Sequence, residues 1–168
     1  FYDFSRVRPI VRTNPNGERV IDWPTNDFSL WHKPNQDDGL LILRGAEPSL
    51  KWSTFTNIVL DFAQRCGVKR IVSLSAIQAA VPHTRPSRIS CTSTNPDWQR
   101  RLEDWGILRQ RRQNYQGPAG ISTVLREVAA QQGIPVTSFV AQVPHYIQAQ
   151  SNPAAALALL KYACPLLD

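Results

Sequence analysis

The sequence has no methionine, only three cysteines and no long apolar segment. Cys66, Cys91 and Cys164 are odd in number and widely spaced, so they predict neither a disulfide framework nor a metal-binding motif. We expect them to be reduced residues of the core. The longest apolar run, residues 154–160, is far shorter than the roughly 18 residues of a membrane-spanning helix, and nothing resembles a signal peptide. We therefore expect a cytoplasmic protein, and the missing initiator methionine indicates a fragment.

Motifs of the common catalytic and nucleotide-binding sites are also missing. The glycine-containing segment at 115–120 lacks the lysine of a phosphate-binding P-loop, and no Gly-x-Gly-x-x-Gly pattern follows a predicted strand. Ser75 follows a strand but lacks the flanking glycines of a nucleophile elbow. The spacing of histidines, cysteines and acidic residues does not match a metal site. The sequence therefore predicts no catalytic residue, metal or cofactor.

The composition is typical of one folded domain. Hydrophobic residues make up 42% and charged residues 19% of a 168-residue chain, which is long enough to bury a core. We predict a single α/β domain over residues 1–168. Its basic residues concentrate at Arg100, Arg101, Arg109, Arg111 and Arg112. Acidic residues interrupt this segment and no nucleic-acid motif accompanies it, so we interpret it as a solvated surface and do not expect nucleic-acid binding.

Alternating apolar and polar residues predict strands in the first part of the chain. Segments 4–12 and 18–23 alternate, and the Asn16-Gly17 pair between them indicates a β-hairpin. Segment 28–33 alternates again. Segment 40–43 is a short apolar run between Gly39 and Gly45, which predicts a strand covered on both faces.

Helical periodicity indicates two further units. The apolar residues of the first helix form one stripe, at Trp52, Phe55, Val59, Phe62 and Cys66. Gly67 ends this helix and strand 68–74 follows directly, so strand 40–43, the helix and strand 68–74 predict a right-handed parallel unit. A helix at 121–132 ends at Gly133 and leads into strand 136–143, which predicts a second such unit and a mostly parallel sheet.

The remaining elements are shorter. Segment 88–92 predicts a strand, and Asn95-Pro96 begins a helix that ends near Gly106. Asn152-Pro153 begins the last helix, which we expect to end at Pro165. Its inward-facing residues are predicted to be Leu157, Leu160 and Ala163.

Ligands of a parallel sheet bind beyond the carboxyl ends of its strands, where polar segments should converge. Segments 44–48, 81–86 and 143–146 follow predicted strands, and segment 115–120 opens a helix whose amides could bind a phosphate or carboxylate. The candidate crevice residues are Arg44, Glu47, His83, Arg85, Gly117, Gly120, His145 and Tyr146. For the two histidines we favour a hydrogen-bonded structural role over a ligand-binding one, and for Glu47 an ion pair with Arg44 over a general base.

Several segments together resemble a known family. They occur in the family's order: Arg44-Gly45-Ala46-Glu47-Pro48 with Trp52, Val81-Pro82-His83-Thr84-Arg85-Pro86, Tyr115-Gln116-Gly117-Pro118-Ala119-Gly120-Ile121, Val143-Pro144-His145-Tyr146 and Asn152-Pro153. These segments are similar to those of the proteasome assembly chaperone 2 family, in its bacterial branch. Residues 1–4 with Arg8-Pro9, and residues 21–24, also resemble that branch.

The resemblance implies a three-layer αβα sandwich with a mostly parallel (mixed) sheet, similar to purine nucleoside phosphorylases, and a homo-oligomer. It also implies that an N-terminal strand, and a C-terminal segment, of the full-length protein are missing here. Some relatives bind the proteasome through a C-terminal motif of a hydrophobic residue, tyrosine and any residue, which the end of this chain, residues 164–168, does not match. The expected function is a non-catalytic interaction or assembly-chaperone-like role with a protein partner. The alternative is a nucleoside-, nucleotide- or other anion-binding protein or enzyme on the same fold.

Overall fold

A computed structural model describes residues 1–32, 34–35, 38–109, 116–147 and 151–167. These residues form an α/β fold with a mixed sheet and four helices. The chain divides into two compact units, the first formed by Phe1–Val68 and Ala119–Val128 and the second by Lys69–Pro118 and Ala129–Asp168. Within the described ranges, no helix combines the length and apolar character needed to cross a membrane.

The first unit begins with a hairpin of β1 (Ile10–Thr13) and β2 (Arg19–Asp22), which pair antiparallel. The Asn14 side chain accepts the amide protons of Asn16 and Glu18 at 3.0 and 2.9 Å, and Gly17 has a φ of 83°. The hairpin prediction is thus confirmed. The predicted strand started too early, however, because the Asp3 carbonyl accepts from the amides of Arg6 and Val7 and folds this part of the chain into a turn.

A second hairpin joins β3 (Asn26–His32) and β4 (Gly39–Gly45) in antiparallel register. The predicted parallel unit of β4, a helix and the next strand is wrong, because that strand belongs to a separate sheet. β3 also alternates and lies close in sequence, and pairing over a short loop costs less chain entropy than a crossover. β4 is not covered on both faces either, since the Ile42 side chain is 45% exposed.

Helix α1 (Trp52–Arg65) buries one stripe of the first unit, formed by Phe55, Thr56, Val59, Leu60 and Ala63. Gly67, with a φ of 71°, ends it as predicted. The stripe is rotated from the predicted one, so that Phe62 is half-exposed. Its ring contacts that of Phe28 on β3, with 4.5 Å between the ring centroids.

The second unit contains a four-stranded sheet in the order β5-β8-β6-β7. The strands are β5 (Ile71–Ala79), β6 (Ile89–Ser93), β7 (Leu108–Arg109) and β8 (Val136–Pro144). β5 and β8 are parallel over nine residue pairs, whereas β6 runs antiparallel to β8. β6 and β7 are parallel again over two residue pairs, so the sheet is mixed, with two of its three pairings parallel.

Three helices complete the described elements. α2 (Pro96–Asp104) begins as predicted, because the Asn95 side chain accepts from the amides of Asp97 and Trp98 at 2.9 and 3.1 Å. α3 spans Ile121–Gln131 and α4 spans Pro153–Leu167. The core of the second unit lies between its sheet, α2 and α4, with Phe139 and Leu102 fully buried.

Two predictions about side-chain burial are wrong. On α4 the buried residues are Ala155, Leu159, Ala163 and Leu166. These face the sheet at near four-residue spacing, so Leu157 and Leu160 point outwards and are 71% and 47% exposed. The helix continues past Pro165, which lies in its last turn. Cys91 is buried as expected, but the free thiols of Cys66, directly after α1, and of Cys164 on α4 are exposed.

Candidate functional site

The polar segments after β5 and β8 meet at one edge of the second unit's sheet. The two strands are parallel and end together, with Ala79 opposite Pro144. The His145 amide donates to the Ala79 carbonyl at 3.2 Å and extends the ladder by one step. As expected from the parallel pairing, the loop 80–88 and residues 145–147 therefore leave the sheet side by side.

Tyr146 holds His83 across these two segments. The His83 amide donates to the Tyr146 hydroxyl at 2.8 Å, and the ring Nδ1 of His83 lies 2.9 Å from the same oxygen. The hydroxyl can use its own proton for Nδ1 while its lone pair accepts from the amide. Neutral His83 then carries its proton on Nε2, which is left to donate to a ligand.

The contact of His145 favours the opposite tautomer of a neutral ring. Its Nδ1 lies 3.2 Å from the Ala79 carbonyl oxygen, which can only accept, so Nδ1 carries the proton. The lone pair of Nε2 is then available as an acceptor. Both histidines are thus hydrogen-bonded within the protein, while each keeps one ring nitrogen for another partner.

A groove of about 510 Å³ opens beside this contact in the second unit. The loop 80–88, the end of β8 and the start of α4 line it. His83 and Arg85 of the predicted set belong to its lining, together with Arg88, which sequence reasoning assigned to a strand. Arg88 lies in a stretch without aspartate or glutamate, between Asp61 and Asp97. No acidic residue near it in sequence can balance its charge, and this signal could have identified Arg88 as an anion-binding candidate.

In the first unit, Glu47 occupies the helix terminus that the sequence offered to an external anion. Its Oε1 accepts the amide proton of Ile121, the first residue of α3, at 2.7 Å. A Cβ on Gly120 would lie 3.6 Å from this oxygen, so the carboxylate sits directly over the start of the helix. The favourable interaction of a negative charge with a helix N-terminus is thus made by the protein itself.

The other residues of segment 44–48 also have structural contacts. A Cβ on Gly45 would overlap the Asn26 side chain and the Thr25 carbonyl. The Ala46 carbonyl accepts from Asn26 and from Tyr2, whose pKa is raised by burial. Pro48 is fully buried and its carbonyl accepts from the indole of Trp52.

The expected ion pair between Arg44 and Glu47 is not formed among the described residues. Arg44 is exposed and lies opposite Asp27 in the β3–β4 register. Of the segment before α3, Tyr115 lies outside the described residues, and Gly117 is exposed. Arg111 and Arg112 of the arginine cluster also lie outside them. The candidate residues fall into two sets, Arg44, Glu47 and Gly120 in the first unit and the others in the second.

Comparisons with known proteins agree on one family. The model of the PAC2 family matches residues 1–168. A PAC2 family protein of Streptomyces avermitilis is 37% identical to this chain, with a TM-score of 0.83. The match covers 100% of this chain and 69% of the Streptomyces protein. A proteasome-assembly chaperone homologue of Mycobacterium tuberculosis is 32% identical with the same TM-score and the same coverage of 100% and 69%.

More distant structures share the fold. PbaB of Pyrococcus furiosus, an archaeal proteasome activator, is 20% identical with a TM-score of 0.74, covering 94% of this chain and 67% of that one. No curated protein matches the chain.

Proposed function

The chain belongs to the PAC2 family, and we propose that it acts as a non-catalytic interaction or assembly-chaperone-like protein. The observation that carries the proposal is its similarity over the whole chain to the Mycobacterium tuberculosis proteasome-assembly chaperone homologue, at 32% identity. The proposal includes a homo-oligomer in the cytoplasm. It also includes a single α/β domain with the three-layer, phosphorylase-like sandwich that the resemblance implies.

The contacts of segment 44–48 support a role without catalysis. Glu47 would be the natural proton carrier of this segment, yet its carboxylate accepts from the Ile121 amide and caps a helix. A carboxylate held at a helix start in this way contributes to the fold, which supports a structural role for the segment.

The outer side of α4 supports association with another protein. Leu157, Leu160, Cys164 and Leu167 are exposed and follow one another at spacings of three, four and three residues. This is the spacing of a helix that packs against another helix. We call these four residues the outer stripe of α4. An exposed apolar stripe of this kind is typical of an interaction surface.

Two measurements on the full-length protein test the proposal. Light scattering after size exclusion should give an oligomer, and native mass spectrometry of tagged protein from its own cells should detect a stoichiometric protein partner. Changing Leu157 and Leu160 together to Glu should reduce assembly, because both charges would be buried in the contact. Lys161→Glu changes the net charge by the same amount beside the stripe and serves as control.

A monomer without a stoichiometric partner would contradict the proposal. Equal loss of assembly in the double variant and in the Lys161→Glu control would show that charge, rather than the outer stripe, decides association.

A further inference from the structure

The groove of the second unit is positively charged, and no acidic side chain is among the described residues that line it. Its titratable lining residues are His83, Arg85 and Arg88. The strands, loops and α4 that surround it are equally free of carboxylates, because no aspartate or glutamate occurs between Asp61 and Asp97 or between Glu127 and Asp168. A concave surface with charge of one sign concentrates counter-ions of the other. The charge of the groove therefore favours an anion.

The two arginines are held by their backbones and have no counter-charge among the described residues of the groove. The Arg85 amide donates to the Pro82 carbonyl at 3.4 Å, in a turn, and the Arg88 carbonyl accepts from the Gln142 amide at 2.9 Å. Among the ion pairs between described residues, none includes either arginine. Their guanidinium groups are thus available for a carboxylate or phosphate, which arginine binds with two parallel hydrogen bonds.

The start of α4 adds a further donor to the same groove. Asn152 caps this helix, with its Oδ1 accepting from the Ala155 amide at 3.0 Å and its carbonyl accepting from the Ala156 amide. Pro153 has no amide proton, so the Ala154 amide is the one that the described residues leave for an external acceptor in this first turn. Asn152, Pro153 and Ala154 all line the groove. The positive end of the helix therefore acts together with the arginines.

The size and the walls of the groove define the rest of the ligand. A volume of about 510 Å³ lies in the range of small-molecule sites and is much larger than an inorganic anion. Pro82, Pro86, Pro144, Pro153 and Ile147 form apolar walls. Such walls can contact a ring or a hydrocarbon body but cannot solvate a second charge.

We propose that this groove binds a small organic anion, with its carboxylate or phosphate group between Arg85, Arg88 and the Ala154 amide and its apolar body on the proline walls. The Nε2–H of His83 adds a donor at the rim. The proposal is independent of the interaction function, because it rests on the lining of the groove and not on the outer stripe of α4.

The test measures thermal stabilisation of the full-length protein by probes of matched shape. AMP is compared with adenosine, benzoate with benzamide, and inorganic phosphate serves as the bare anion. We expect at least one of AMP and benzoate to raise the Tm, its neutral counterpart to leave the Tm unchanged, and the shift to decrease with added salt. A larger effect of AMP would identify phosphate esters as the class, and a larger effect of benzoate would identify carboxylates.

Variants assign the effect to the groove. Arg85→Gln and Arg88→Gln should each weaken binding of the active probe about 10- to 100-fold, the loss expected for a hydrogen bond to a charged group. Arg100→Gln is the matched control, since Arg100 is exposed and paired with Asp97 on α2. Ala154→Asp should abolish the shift without lowering the Tm of the free protein, because it supplies a carboxylate at the helix start.

Three results would overturn the proposal. The first is that neither AMP nor benzoate raises the Tm, and the second is that the neutral counterparts raise it equally. The third is an undiminished Tm shift in the Arg85→Gln, Arg88→Gln double variant. Both arginines are exposed, so this variant should fold, and its circular dichroism spectrum verifies that it has.

Discussion

Replacing Glu47 should loosen α3 at its first turn. Glu47 Oε1 accepts from the Ile121 amide at 2.7 Å, a bond that connects residues 74 positions apart in the sequence. Hydrogen bonds to charged groups contribute about 1.5–3 kcal/mol, and a carboxylate at an exposed helix N-terminus contributes about 0.3–1 kcal/mol. Because Glu47 is exposed, we expect the Glu47→Ala change to cost about 1–2 kcal/mol. Glu47→Gln keeps the acceptor but loses the charge and should cost about half as much.

Thermal unfolding and hydrogen exchange measure this effect. At this chain length 1 kcal/mol corresponds to about 2–4 °C, so Glu47→Ala should lower the Tm by about 2–8 °C. Amide exchange should become faster in the peptide that covers residues 119–128, because the first turn of α3 loses its cap. Asp61→Asn is the matched control. It removes an exposed carboxylate that pairs with Arg65 at 3.0 Å and should change stability by less than about 0.5 kcal/mol.

The reasoning would be refuted by a Glu47→Ala protein with the parental Tm and unchanged exchange at the start of α3. A decrease in Tm with unchanged exchange there would place the contribution of Glu47 elsewhere.

Three further variants and a labelling experiment test other contacts. Tyr146→Phe removes the hydroxyl that binds His83 and should cost about 1 kcal/mol, with a shifted Nδ1 resonance of His83 in ¹⁵N NMR; an unchanged resonance would exclude the bond. Phe139→Ala empties a fully buried position and should lower the free energy of unfolding by about 3–5 kcal/mol, measured as a lower urea midpoint at constant m-value; a smaller loss would contradict this. Asn95→Ala should cost about 0.5–2 kcal/mol in thermal unfolding, and an unchanged Tm would show that the cap does not stabilise α2. A thiol reagent should modify two of the three cysteines in the native protein, whereas a single modified thiol would show that one of the exposed pair is covered.

Elements fixed by neighbouring residues could be predicted from the sequence. The Asn14–Gly17 turn, the Asn95 cap of α2 and the Gly67 stop of α1 each depend on bonds within a few residues or on one backbone angle. The pairing of β4 could not be predicted in this way. Its apolar run suits a buried parallel strand or a hairpin strand equally well, and the choice depends on which partner is available.

For the candidate site, too, some contacts could be predicted from the sequence and others could not. The sequence predicted that His83 and Tyr146 would lie together, because parallel strands bring their carboxyl ends to one edge. It could not show that Glu47 would cap α3, because the partner lies 74 residues away and any exposed carboxylate could have made the bond. It missed Arg88, because a residue at the start of a strand can also line the groove beside it.

Two of the segments that resemble the family, 44–48 and 81–86, therefore differ in what their polar groups do. In the first, the Glu47 carboxylate and the Ala46 carbonyl already have partners within the protein. In the second, Arg85 lines a groove and pairs with no acid among the described residues. A residue that stabilises the fold should change the Tm of the free protein, and one that binds a ligand should change only the shift that the ligand causes. Glu47→Gln and Arg85→Gln, measured with and without AMP and benzoate, should show these two effects separately.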